Sequence, residues 1–266
     1  VRHIRLILQY DGTNYSGWQV QRVRTPERIV TIQGVLEDAI ERVTARRSRV
    51  TGASRTDAGV HALGQVASFK TNTTLDTETL RRALNANLPP DIRIMDVSEV
   101  DEDFHPRYSA IRKVYSYLIS YSNPPSPFLG RYTWQIYHDL SGRVDLMREA
   151  ADYLVGEHDF SCFRASGCAS KNPVRTIYNI NISLSPCFEF FTFRLDVGLL
   201  KITIEANAFL RHMARNIVGT LVEIGKGRLS PSYIRDILDS RDRRRAGITA
   251  PACGLFLERV IFNQPR

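Results

Sequence analysis

Apolar and polar positions alternate from Ile4 to Tyr10, with Ile4, Leu6 and Leu8 on one side, and spacing of period two predicts a strand. Asp11-Gly12 is a turn signal after it. Tyr15-Ser16-Gly17-Trp18-Gln19 puts two aromatic rings in a loop, where they either face solvent or anchor the core. From Thr31 the period lengthens. Val35, Leu36, Ala39, Ile40 and Val43 make one stripe of a helix reaching Thr44, and Arg46, Arg47 and Arg49 follow, suited to a helix C-terminus or to a phosphate. Gln65 to Lys70 reads as a strand. Thr77 to Leu88 reads as a helix with Leu80, Ala83, Leu84 and Leu88 inward, stopped by Pro89-Pro90, and Ile92 to Val100 as another strand. The first hundred residues therefore read β-α-β-α-β.

The same grammar returns. Phe104-His105-Pro106-Arg107 connects to a strand from Lys113 to Ser120, on which Lys113, Tyr115, Tyr117 and Ile119 share a face. Three prolines mark a surface loop between Asn123 and Gly130. Val144 to Val155 predicts a helix with Gly156 as its cap. Arg164 to Pro173 is small and polar. Strands are expected in Val174 to Leu184 and in Phe188 to Ala206, followed by the longest helix, Phe209 to Ile224, ended by Gly225. Ser230-Pro231 opens a helix at Ser232 to Leu238, and Gly254 to Phe262 closes the chain as a strand. Two related α+β units with a groove between them, residues 1–107 and 108–266, is the simplest architecture.

Composition changes this picture little. With 43% hydrophobic and 24% charged residues over 266 positions, the chain has an ordinary globular make-up. Its net charge of +8 suits a polyanionic partner, but Arg outnumbers Lys by 31 to 5, which an Arg-biased host would also produce. Cys162, Cys168, Cys187 and Cys253 form no C-x-x-C pair, so free thiols are expected and a zinc site is not. No stretch has the apolar length of a membrane span or the pattern of a leader, and a cytoplasmic protein is expected.

The chemistry concentrates in Gly52-Ala53-Ser54-Arg55-Thr56-Asp57-Ala58-Gly59-Val60-His61-Ala62. Small residues let the backbone turn sharply and let a ligand approach. Asp57 is then either a nucleophile or base, or a cap for neighbouring backbone groups. On the helix from Phe209, Arg211 and Arg215 are four apart, as are His212 and Asn216. A guanidinium amid apolar residues needs a partner; Asp57 would serve and would be held ionised, or the pair is purely structural. No Walker loop, G-x-G-x-x-G, H-E-x-x-H or defensible pair of glycosidase carboxylates is present. A lone Asp, an Arg and a strand Tyr in a basic protein point to chemistry on a nucleotide without metal or redox cofactor.

Arg55-Thr56-Asp57-Ala58-Gly59-Val60-His61-Ala62 resembles the motif of the TruA-type tRNA pseudouridine synthase family. So do Tyr10-Asp11-Gly12-Thr13 with Gly17-Trp18-Gln19, Phe104-His105-Pro106-Arg107, Lys113-Val114-Tyr115-Ser116-Tyr117, Val174-Arg175-Thr176-Ile177, Phe209 to Gly219 and Ala250 to Leu257, in the family's order along the chain. The resemblance implies an α+β fold of two related sandwich halves, with mainly antiparallel sheets flanking a central catalytic cleft. It implies a homodimer with no cofactor that isomerises uridine to pseudouridine at positions 38 to 40 of the tRNA anticodon arm. Asp57 takes the catalytic aspartate position, attacking the uridine or driving loss of the base from C1′. Tyr115 takes the tyrosine that packs on the target base, and Arg215 the arginine that pairs with the aspartate. Arg55 takes a position that holds the extruded nucleotide. His61, His105 and Arg107 are implied RNA contacts, and Leu257 lines the base pocket or simply packs in the core.

Ser54, Pro106 and Ala214 stand where the family commonly has Gly, Ala and Val. The segment from Ser185 to Lys201 is long, with an aromatic cluster at Phe188, Phe190, Phe191 and Phe193, and leaves open how the second sheet's edge is finished. Two other readings stay open: a protein that binds RNA on this scaffold without turnover, and the same chemistry on another RNA site. The Arg241 to Arg245 run is either a backbone contact to RNA or a solvated turn.

Overall fold

A computed structural model describes residues 1–21, 29–121, 124–185, 187–190, 193–195 and 197–263. In chain order the first elements are β1 (Arg2–Tyr10), α1 (Ile32–Thr44), β2 (Thr51–Gly52), β3 (His61–Thr71), α2 (Thr77–Asn87), β4 (Ile92–Glu99), β5 (Ala110–Tyr121) and β6 (Trp134–Ile136). Next come α3 (Val144–Asp152), β7 (Gly156–Asp159), β8 (Val174–Ser185), β9 (Phe188–Phe190), β10 (Phe193–Leu195), β11 (Gly198–Ala206), α4 (Met213–Gly225), α5 (Tyr233–Ser240) and β12 (Leu255–Phe262). The chain forms two compact units, Val1–Lys113 with Phe256–Arg266, and Val114–Leu255.

In the first unit β1 lies between β3 and β4, antiparallel to both, with β2 on β3. The alternation seen in the sequence is real: Ile4, Leu6 and Leu8 are fully buried, and α1 and α2 contribute Leu36, Ala39, Ile40, Leu80 and Leu84 to the same core. Thr31 caps α1, its hydroxyl accepting from the Gly34 amide at 3.2 Å, and Asp76 caps α2 through the Thr79 amide. The last strand does not stay with the sequence's second half. β12 runs parallel to β3, pairing Phe256 with His61 and Leu257 with Ala62, and so joins the first unit.

In the second unit β8 lies between β11 and β7, antiparallel to each, β11 neighbours β5, and β6 runs parallel to β5. The class is α+β, with mainly antiparallel pairing inside each unit. Phe191 of the expected aromatic cluster lies outside the described residues; β9 and β10 pair as a small antiparallel ribbon there.

Several expected boundaries move, each for a local reason. The helix expected from Phe209 begins at Met213, because His212 sits at φ 60 in the left-handed region. Arg211 and His212 are therefore not one turn behind Arg215 and Asn216 on a common helix. The apolar pattern misleads because Leu210 is also buried, although it is not helical. Helix α3 stops at Asp152 rather than Val155, since Leu154 is buried from a turn, and Gly156 opens β7 at φ 111 instead of capping the helix. Helix α5 begins at Tyr233, and its preceding Ser232 makes no side-chain cap.

Two predictions arise from the second unit. Burial pushes the Cys162 thiol up to about 12. At pH 8 its thiolate fraction is then on the order of one in ten thousand. Iodoacetamide is expected to spare Cys162 in the native protein while modifying the partly exposed Cys168, read by peptide mass spectrometry. Glu223 meets Lys226 at 3.2 Å and Arg228 at 2.8 Å. Partial burial pushes its carboxyl up, but the hydrogen bonds and charges of Arg228 and Lys226 outweigh this, and the net direction is down. A carboxyl lowered by folding stabilises the protein above its unfolded pKa and loses that contribution as pH falls through the folded one. Glu223→Gln is expected to cost at most about 1 kcal/mol at pH 7. The gap to wild type in thermal unfolding should close below about pH 4.

Candidate active site

The turn carrying Asp57 connects β2 to β3, and its backbone is fastened almost residue by residue. Ala53 donates its amide to the Val66 carbonyl at 2.8 Å, and its own carbonyl accepts from Lys113 Nζ at 2.6 Å. Ser54 is held from both sides by the Gln65 amide group, at 3.2 and 2.7 Å. The Thr56 carbonyl accepts from the Trp18 amide at 3.0 Å, and the Thr56 hydroxyl lies 2.8 Å from the Tyr10 hydroxyl. The Val60 amide closes the turn on the Asp57 carbonyl at 3.1 Å, and the Gly59 amide donates to Tyr15 at 3.3 Å. Gln65 and Thr56 are buried, Arg55 is exposed, and Asp57 is half-buried. A half-buried carboxylate is thus presented on a hydrogen-bonded backbone, which is what a positioned nucleophile requires. Among the described residues the Arg55 side chain has no partner, so its charge stays available beside Asp57.

The aromatic loop before α1 supports this turn rather than facing solvent. Trp18 is 1% exposed and Tyr15 7%. Tyr15 donates to Asp91 at 2.6 Å, and burial first, then that hydrogen bond, pushes its hydroxyl well above the usual phenol range. Two glycines let the loop reach the turn. A Cβ at Gly12 would stand 2.0 Å from the Val60 carbonyl oxygen. One at Gly17, whose φ is 88, would stand 2.7 Å from the Thr56 carbonyl oxygen.

The remaining expected residues fall in different places. His61 is 1% exposed, stacked on Phe256 at 4.7 Å, with Nδ1 3.1 Å from both the Gly12 amide and Asp11 Oδ1. Protonated at Nδ1 it donates to Asp11; unprotonated it accepts from Gly12. Either way it ties the Asp11-Gly12 turn to β3, and its ring offers RNA no surface. Leu257 is fully buried and pairs with Ala62 across β12 and β3. His105 and Arg107 lie in a compact turn in which His105 Nδ1 accepts from the Arg107 and Tyr108 amides, at 3.1 and 3.3 Å.

In the second unit Tyr115 is 6% exposed and meets Phe209 edge-on at 4.8 Å. Arg215 lies in the first turn of α4, and its Nε donates to the Ala250 carbonyl at 2.7 Å while the Ala250 amide returns to the Arg215 carbonyl at 3.1 Å. Tyr117 donates to the adjacent Pro251 carbonyl at 2.7 Å. The segment before β12 is itself clamped to α4 by Arg243, which donates to Asn216 and Thr249 at 3.0 Å and to Gly247 at 2.9 Å. Of the basic run, Arg243 is therefore spent on structure and Arg244 on Asp242 at 2.8 Å. Sequence reasoning missed Thr56, Gln65, Lys113 and Arg243 as supports. Their partners are 46, 11, 60 and 27 residues away, at distances no local pattern spans. Among the described residues no group of three or more His, Cys, Asp or Glu side chains is placed to hold a metal ion, and no helix is long and apolar enough to cross a membrane.

Comparison with known proteins agrees with the motifs. The chain is 44% identical over 262 residues to tRNA pseudouridine synthase A of Thermoanaerobacter sp. (strain X514), covering 98% of this chain and 100% of that one. It is 41% identical over 262 residues to the protein of the same name from Pseudothermotoga lettingae, with the same coverage. To that of Thermosipho africanus it is 45% identical over 254 residues, covering 95% of this chain and 96% of that one. The family model for tRNA pseudouridine synthase matches residues 6–109 and 150–263, so the chain belongs to the tRNA pseudouridine synthase family, isomerases that act on uridine in tRNA.

Proposed function

We propose that the protein converts uridine to pseudouridine at positions 38 to 40 of the tRNA anticodon arm, with Asp57 as the nucleophile and the target nucleotide extruded from the stem. The reaction breaks the N1–C1′ bond, forms a C5–C1′ bond, and exchanges a proton at C5 for one at N1. It balances without any redox partner. What the chain must supply is a nucleophile that lets the base detach and rotate, and a hold on the extruded nucleotide. The observation that carries the reading is the Asp57 turn: a half-buried carboxylate on a backbone hydrogen-bonded on both sides, with an exposed Arg55 two residues away. Arg55 holds the phosphate or sugar of the extruded nucleotide. Tyr115 packs against the target base, and Arg215 serves the same reaction. The protein works in the cytoplasm as a homodimer, as the family resemblance implies. Modification mapping on unmodified tRNA transcripts, with wild type and Asp57→Asn side by side, tests the reading. Pseudouridine at positions 38 to 40 with wild type alone supports it; bound tRNA left unchanged by wild type overturns it in favour of a binding protein.

A further inference from the structure

A groove of about 560 Å³ opens in the first unit where α1 ends and the far ends of β1 and β3 meet the turn after β4. Arg46, Arg47, Arg49 and Lys70 line it, against two carboxylates, Glu102 and Asp103. Two of the four cations are engaged: Arg47 reaches Asp38 and Glu41, and Lys70 meets Glu102 at 3.2 Å. Arg46 and Arg49 are exposed and have no side-chain partner among the described residues. They do not cap α1, whose last turn is closed instead by the Thr44 hydroxyl on the Ile40 carbonyl at 2.8 Å. In the same segment Ser48 and Val50 are buried, while Arg46 and Arg49 are exposed to solvent.

A second feature stands beside the cations. His105 lines the groove, and the Tyr108 ring lies against it at 4.3 Å while remaining 76% exposed, with the Arg107 guanidinium 5.7 Å from the Tyr108 ring centre. An exposed aromatic ring beside a cation, next to a basic groove, is the arrangement on which an unpaired base stacks while its phosphates are neutralised. The groove is not the Asp57 site. Asp57 belongs to the end of the strands where Tyr10 pairs with Ala62, and the groove to the end where His3 pairs with Lys70. Eight residues of β3 separate them, about 26 Å of strand.

We infer that this groove binds the RNA backbone of the same substrate at a distance from the target nucleotide, with Arg46 and Arg49 on phosphates and Tyr108 stacked on an unpaired base. The inference rests on the proposed function for its choice of RNA as the partner. It separates two jobs within the first unit: a rigid turn that does chemistry on one nucleotide, and a remote basic surface that supplies affinity.

The test uses the full chain and unmodified tRNA transcript, with binding measured across salt and turnover at saturating and subsaturating RNA. Arg46→Ala with Arg49→Ala is expected to lower the slope of log affinity against log salt by about 1 to 2, since two phosphate contacts are lost. KM should rise about tenfold with kcat unchanged. Tyr108→Ala is expected to weaken binding about tenfold with no change of slope, because stacking releases no counterions. Arg46→Lys with Arg49→Lys should restore the slope, showing that charge and not packing is read. Wild-type affinity and slope in both alanine variants overturn the inference even though wild type makes pseudouridine. If wild type itself neither binds nor modifies tRNA, the reading of function fails first.

Discussion

Asp57→Asn is expected to abolish pseudouridine formation, with a loss of about 10⁴-fold or more in kcat, while tRNA affinity changes by no more than a few-fold. The size follows from the proposed role: losing the nucleophile of a covalent route removes the route, and what remains is positioning by the rest of the site. The turn should survive the change. The hydrogen bonds through the Asp57 carbonyl, the Thr56 carbonyl and hydroxyl and the Gly59 and Val60 amides are made by groups that the substitution leaves in place. An amide is isosteric with the carboxylate, so thermal unfolding should move little. Single-turnover assays on an unmodified transcript measure the loss; turnover within tenfold of wild type would remove Asp57 from the nucleophilic role and leave it as a binding group.

The second large effect is expected from a residue outside the Asp57 turn. Gly17→Ala places a methyl group 2.7 Å from the Thr56 carbonyl oxygen and 3.0 Å from the Asp57 carbonyl carbon, at a backbone φ of 88 that side chains resist. Those neighbours are backbone, so they can yield only by moving the turn itself. Trp18 is fully buried and its amide holds Thr56, which stops the strain from being relieved on the other side. A displacement approaching 1 Å at Asp57, the proposed nucleophile, costs on the order of 10²-fold in rate. The strained backbone should cost about 1–3 kcal/mol of stability. The signature is a fall in kcat with tRNA affinity retained, in a protein that remains folded at 25 °C. A normal kcat would show that the turn's position is not set by its contact with Gly17.

The amino-acid sequence by itself determined the elements and the motifs. Period-two and period-3.6 spacing are local properties, so β1, α1, α2 and β5 can be read directly, and so can the Asp57 turn, whose small residues are contiguous. Apolar spacing also overran its mark, extending α4 back through Leu210 and α3 forward through Leu154, because a buried residue looks the same in a helix as in a turn beside one. The tertiary structure alone decided which distant groups hold the turn in place: Lys113 on Ala53, Gln65 on Ser54, Tyr10 on Thr56. It alone returned β12 to the first unit by pairing it with β3, buried His61 and Leu257, and turned Arg243 inward while leaving Arg46 and Arg49 free among the described residues. Hydrogen bonding and burial depend on what lies across the fold, and an arginine in a basic run carries no local mark of whether a carbonyl or a phosphate awaits it.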